Sequence, residues 1–203
     1  MKTHVYAVRR FTHTLPDSLK SADIRLSEQV LDLLIERFSA VGDTIFDPFA
    51  DFGTTLISAE RLGRKAFGVE QDAELCAYAK QHLRQPSSIS NGDIRSFDFA
   101  VFPRFNLSIS SPIYMHQHET LDPLTAFLAE IYARVGAHLK ADGRLIIEAA
   151  NLKSTRGVTR FAWDLADRVS QKLPFQGEIV LNWDDYGAGY DHSYGLIFRG
   201  PED

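Results

Sequence analysis

The chain has 203 residues, 44 % hydrophobic and 24 % charged, an ordinary globular balance that points to one compact domain with a sizeable core. Its 22 basic and 27 acidic residues leave a formal net charge of -5, which excludes a global positive field drawing it to nucleic acid or anionic membrane, so any nucleic-acid contact must use a local patch. Cys76, the single cysteine, excludes a disulfide framework and a thiolate metal site and is expected to be a buried, inert thiol.

In chain order, the N-terminal stretch MKTHVYAVRRFTH lacks the apolar core of a signal peptide, and no later segment is apolar for long enough to span a membrane, so a cytoplasmic protein is expected. RLSEQVLDLLIERFSA predicts a helix with Ser27 as its cap and Val30, Leu31, Leu34, Ile35 and Phe38 as its apolar stripe, ended by Gly42. TIFDPF predicts a strand, TTLISAERLG a helix closed by Gly63, and KAFGVE a second strand. DAELCAYAKQHLR, acidic first and basic last, matches a helix dipole. SSISNGD and FNLSISS read as the third and fourth strands, residues 122–139 as a long helix with a proline near its start, and GRLIIEAANL as the fifth strand. A basic loop, the helix VTRFAWDLADRVSQKL and the strands GEIVLNW and SYGLIFRG complete the chain. Alternating strands and helices predict an α/β fold with a mostly parallel sheet covered on both faces.

In such a sheet the ligand lies beyond the carboxyl ends of the strands, where a strand turns into a helix, and DPFADFGTT (residues 47–55) occupies that position. Gly53 permits close backbone approach, and Thr54 and Thr55 start a helix whose free N–H groups face the ligand. The glycine spacing and lysine of a P-loop are missing, as are the first two glycines of a dehydrogenase fingerprint. What remains is a ligand of positive character, to which Asp47 offers a negative partner. Glu70, at the end of the next strand, suits ribose hydroxyls, and Asp93, ending the third, suits an adenine amino group.

With these residues in that order, the chain resembles the S-adenosylmethionine-dependent methyltransferases, in particular those that methylate amino groups of DNA bases. Their cofactor motif has the form D-P-F-x-G-x-G-T-T, which DPFADFGTT matches except that Asp51 replaces the first glycine. The turn fits the sulfonium cofactor if position 51 keeps a glycine-tolerant conformation, which Asp adopts more readily than most residues. The resemblance implies a Rossmann-like class I methyltransferase fold with a seven-stranded, mostly parallel sheet and helices on both faces, over residues 1–203 as a single domain. Residues 1–40 would form an N-terminal segment with the cofactor-flanking helix, and 41–203 the catalytic sheet. The implied cofactor is S-adenosylmethionine, held by Asp47, Pro48, Phe49, Ala50, Gly53, Thr54, Thr55, Glu70, Asp93 and Ile94.

The family's catalytic motif is an Asp, Asn or Ser followed by Pro-Pro and an aromatic. Here Ser111, Pro112 and Tyr114 match, and Ile113 replaces the second proline. An exocyclic amine conjugated to a base ring is a weak nucleophile, so acceptors for its hydrogens raise electron density at the attacking nitrogen. Ser111 Oγ and the Pro112 carbonyl supply such acceptors, and Tyr114 a face for base stacking. The reaction asks for no metal, and His116 and His118 have no third ligand at metal spacing.

The implied substrate is an exocyclic amino nitrogen of a nucleic-acid base, in DNA adenine or cytosine. RNA guanine, a small molecule or protein, and a role as a catalytically weak cofactor-binding partner subunit are the alternatives. Lys153, Arg156 and Arg160 are the first candidates for phosphate contacts, with Arg9, Arg10 and Arg25 a second group. A partner subunit for target recognition is a further expectation, since a base inside a duplex must be flipped out to reach such a pocket.

Overall fold

The computed structural model describes residues 4–12, 14–20, 23, 25–112, 121–154, 157–184 and 192–200. The chain runs β1 (His4–Ala7), α1 (Glu28–Phe38), β2 (Thr44–Asp47), α2 (Thr54–Arg61), β3 (Lys65–Glu70), α3 (Ala73–His82), β4 (Ile89–Asn91), β5 (Phe105–Ser110), α4 (Asp122–Ala137) and β6 (Leu139–Ala149). A small hairpin of β7 (Leu152–Ser154) and β8 (Gly157–Thr159) follows, then α5 (Phe161–Ser170), β9 (Phe175–Trp183) and β10 (His192–Arg199).

The main sheet has eight strands in the order β1-β9-β10-β6-β5-β2-β3-β4. Strands β4, β3, β2, β5 and β6 are mutually parallel, β10 is antiparallel to both neighbours, and β1 lies parallel on the edge beside β9. The expected seven strands of a mostly parallel sheet are therefore present, and the N-terminal segment adds an eighth. Side chains of α1 hold that segment in place. Ser27 Oγ donates to the Val8 carbonyl at 2.6 Å and accepts from Arg10 N at 3.2 Å, while Glu28 Oε1 accepts from Thr12 N at 2.8 Å. Ser27 is thus the N-cap residue by position, but its hydroxyl serves the incoming chain and not the helix N–H groups.

Alternation along each buried strand sends successive side chains to opposite faces. Phe46, Leu145, Ile147, Leu196 and Phe198 join the core under α4 and α5, while Ile45, Ile146 and Ile197 join the one under α1, α2 and α3. The predicted stripe of α1 is buried at Val30, Leu31, Leu34 and Ile35. Cys76 is buried, and burial pushes its thiol up. The basic loop expected after β6 is the β7–β8 hairpin. Strand order reverses between β2 and β5, the switch point beyond whose carboxyl ends such sheets open a ligand crevice. Among the described residues no helix is long and apolar enough to cross a membrane.

Candidate cofactor and methyl-transfer site

The turn between β2 and α2 is built on two left-handed residues. Asp51 has φ 44° and Gly53 φ 75°. A side chain at position 53 would be strained by that backbone, and its Cβ would stand 2.8 Å from Ala79 Cβ on α3. Aspartate tolerates the left-handed region better than most residues, so position 51 keeps the glycine-like conformation the turn needs. The Ala50 N–H donates to the Val69 carbonyl at 3.0 Å, and Asp51 N–H donates to Glu70 Oε2 at 2.7 Å, which seats the turn on the end of β3.

Two recesses meet at this turn. A cavity of about 480 Å³ has Glu70, Asp51 and Asp93 among apolar walls from Pro48, Phe49, Val69, Ile94 and Pro112, closed by Leu124, Phe127 and Leu128 of α4. A smaller recess shares Phe49 and Asp51 with it and adds Arg25, Leu26, Asp47, Ala50, Thr54, Thr55 and Ser111.

Three carboxyls crowd this junction. Burial pushes Asp47 up to about 7, against hydrogen bonds from the Thr55 side chain and the Phe49 N–H, with the Glu70 charge adding to the rise. Burial raises Asp51 well above the ordinary range, and the charges of Glu70 and Asp47 add to it. Glu70 is also raised by burial, against the N–H groups of Asp72 and Asp51. A ligand carrying positive charge relieves this mutual repulsion, whereas a polyphosphate would worsen it.

S-adenosylmethionine fits these walls. The apolar cavity would take an adenine ring, Glu70 would accept from ribose hydroxyls, and the three acids would offer negative charge to a sulfonium and an ammonium group. Thr54 Oγ1, buried in the smaller recess, has no hydrogen-bond partner among the described residues and is free for a polar ligand atom.

Ser111 follows the tip of β5 and lines the smaller recess, and Pro112 lines the larger cavity, so the described part of the motif abuts both recesses. Asp93 stands on the rim with its carboxylate bound in bidentate fashion by Arg95, which holds it below the usual range. Tyr114, Arg156, Ile113 and the two histidines lie outside the described residues, as does the Lys153 side chain. Arg160 stands at the N-cap position just before α5 and pairs with Asp164 at 3.1 Å. Arg25 is not a rim cation. It is 8 % exposed, is bound by Asp23, and stacks on the Phe11 ring 4.0 Å from its centroid, so its charge is committed inside the fold.

A DNA methylase family model matches residues 6–81. The Type II methyltransferase M2.LlaDCHI of Lactococcus lactis is 38 % identical over 58 residues, which are 29 % of this chain and 22 % of that protein, so the match spans about a fifth of the relative's length. The chain resembles the DNA methylases. Solved structures extend the likeness in fold to nearly the whole chain. A TehB-like S-adenosylmethionine-dependent methyltransferase from Corynebacterium glutamicum matches with TM-score 0.56 and 20 % identity, over 91 % of this chain and 93 % of that one. The magnesium protoporphyrin IX methyltransferase of Synechocystis with bound SAM matches with TM-score 0.59 and 13 % identity, over 85 % and 77 %. The fold is that of the class I methyltransferases.

In this methylase-like chain the structure brings Asp47, Pro48, Phe49, Ala50, Thr54, Thr55, Glu70, Asp93, Ile94, Ser111 and Pro112 to one crevice, with Gly53 shaping the turn behind it. Sequence reasoning predicted the helix over residues 122–139 but not that its Leu124, Phe127 and Leu128 wall the cavity, because apolar residues at that spacing look the same in a core. It also missed Glu148, a buried acid in β6 whose Oε2 accepts from Ser111 Oγ at 2.8 Å. An acid inside the apolar run LIIEAA was the available signal.

Proposed function

We propose that the protein is an S-adenosylmethionine-dependent N-methyltransferase whose acceptor is an exocyclic amino nitrogen of a nucleic-acid base, foremost adenine or cytosine in DNA. The observation that supports this best is the placement of Ser111 in the same recess as Asp47, Thr54 and Thr55. The cofactor supplies a methyl group already activated on sulfur. The chain's own part is to bind, orient and exclude water. Asp47, Asp51 and Glu70 would ionise against the positive charge of the bound cofactor, the apolar walls would dry the site, and Ser111 Oγ with the Pro112 carbonyl would accept hydrogen bonds from the amine, whose surplus proton passes to solvent after transfer. Tyr114 would stack the base.

A second reading, an amine on a smaller molecule, is favoured by the acid-rich surface beside α5. The groove beside α5 holds Asp122, Asp164 and Asp167, and its Arg160 and Arg168 are paired with Asp164 and Asp122. Such a surface attracts phosphates weakly, so a duplex would require cations from elsewhere or from a partner subunit. Incubation of the chain and cofactor with single- and double-stranded DNA, RNA and free nucleosides, followed by mass spectrometry of the products, decides between these. Methylated adenine or cytosine in DNA is the expected result. Transfer only to nucleosides selects the second reading, and cofactor binding without transfer to any of them selects an inactive partner subunit.

A further inference from the structure

Glu148 is 2 % exposed and sits near the end of β6. Because β5 and β6 are parallel with Ser110 opposite Ile147, the next residue of each, Ser111 and Glu148, lie side by side. Ser111 Oγ donates to Glu148 Oε2 at 2.8 Å. Glu148 Oε1 is enclosed and unpartnered among the described residues. Burial raises the Glu148 carboxyl, against the pull of the nearby Ser193 and Ser111 hydroxyls, and Ser193 Oγ of β10 accepts from the Trp183 indole at 2.9 Å. Among the described residues Glu148 has no ion-pair partner, and its chain neighbours Ile146, Ile147 and Ala149 are all buried apolar groups. An apolar residue would cost less here, so stability does not explain the acid.

A serine hydroxyl has one hydrogen and two lone pairs. When the hydrogen is committed to Glu148, Ser111 turns only lone pairs toward the recess. An incoming amino group then finds an acceptor, while a keto oxygen or an unprotonated ring nitrogen in the same place meets lone pair against lone pair. We propose that Glu148 is a positioning and specificity-determining residue, which holds the Ser111 hydroxyl hydrogen so that the site accepts an amine and refuses a carbonyl or ring-nitrogen acceptor. This rests on the methyl-transfer reading of Ser111 given above. Replacement by glutamine preserves shape but offers a weaker acceptor, or an amide N–H that reverses the direction of the bond.

The test compares Glu148→Gln, Ser111→Ala and the double variant of the full chain on the methylated substrate, alongside calorimetry with S-adenosylmethionine. Glu148→Gln should lower kcat about tenfold while KM and cofactor affinity stay near wild type, and should cause no further loss in the Ser111→Ala background. A merely structural role would give additive losses and a weakened cofactor site. Infrared spectra of chain labelled with ¹³C at glutamate carboxyls supply a readout independent of turnover, with the Glu148 band identified by its absence in Glu148→Gln. Ser111→Ala should shift that band and raise the pH at which it titrates. An unmoved band, additive losses, or wild-type kcat in Glu148→Gln overturns the inference while leaving the function intact. A wild-type chain that methylates no amine overturns the functional reading and this inference with it.

Discussion

The Glu70 carboxylate holds the cofactor turn from below, accepting from Asp51 N–H at 2.7 Å through Oε2 and from Asp72 N–H at 2.6 Å through Oε1. Each oxygen keeps a lone pair, and the residue also lines the main cavity. The acid assigned to the ribose is therefore also the brace for the left-handed residue at position 51. On the proposed ribose role, cofactor affinity and turn geometry would be coupled through one side chain.

Glu70→Ala should weaken S-adenosylmethionine binding about tenfold to a hundredfold, the loss expected for hydrogen bonds to a charged acceptor. Because Asp51 N–H and Asp72 N–H lose their acceptor, thermal stability of the ligand-free chain should fall as well. Calorimetric titration and thermal unfolding measure the two effects. Unchanged affinity in a folded variant would rule out the ribose assignment.

Gly53→Ala confronts both a φ of 75° and a Cβ contact of 2.8 Å with Ala79. The left-handed backbone and the overpacking together should cost about 2–4 kcal/mol, read as a lower midpoint in urea. A variant as stable as wild type would show that α3 yields at Ala79 without penalty.

Asp47 makes the ligand-free protein less stable as pH rises. Its carboxyl titrates near 7 in the fold against 3.8 when unfolded, so between those values the folded state retains a proton that the unfolded state has lost. Stability from this group is fully present below the unfolded value and is lost as pH rises through about 7. Asp51, also raised, acts in the same direction. Asp47→Asn should therefore stabilise the ligand-free chain at alkaline pH by about 1–3 kcal/mol and flatten the pH dependence, while weakening cofactor binding by loss of a negative partner. Urea melts across the pH range check the first expectation and calorimetry the second.

The sequence made the centre of the sheet and its turns legible because both depend on neighbouring residues. KAFGVE is β3 from Lys65 to Glu70, and DPFADFGTT lies between β2 and α2 as its composition requires. What was hidden depends on distant partners. β1 pairs with β9 from the other end of the chain, which no local pattern in HVYA announces. The β7–β8 hairpin has strands of three residues, too short to show a period, and read as loop. Glu148 is visible as an acid in an apolar run, but only the β5–β6 register shows that Ser111 is its neighbour. Leu124, Phe127 and Leu128 carry the same helical spacing whether they fill a core or close a cavity.

Tyr114→Ala separates cofactor binding from transfer. Phe49, Val69, Ile94 and the α4 side chains already wall the main cavity, so the adenosine pocket proposed there has its walls without Tyr114, whose proposed role is to stack the substrate base. Cofactor affinity should stay near wild type. Loss of a stacking platform should cost about 1–3 kcal/mol of base binding, and a misplaced amine should depress turnover further. Calorimetry with cofactor and a methylation time course on the same preparation make the comparison. Lost cofactor affinity with retained substrate binding would assign Tyr114 to the adenosine pocket, and normal binding with wild-type turnover would reduce SPIY to a strand-ending turn.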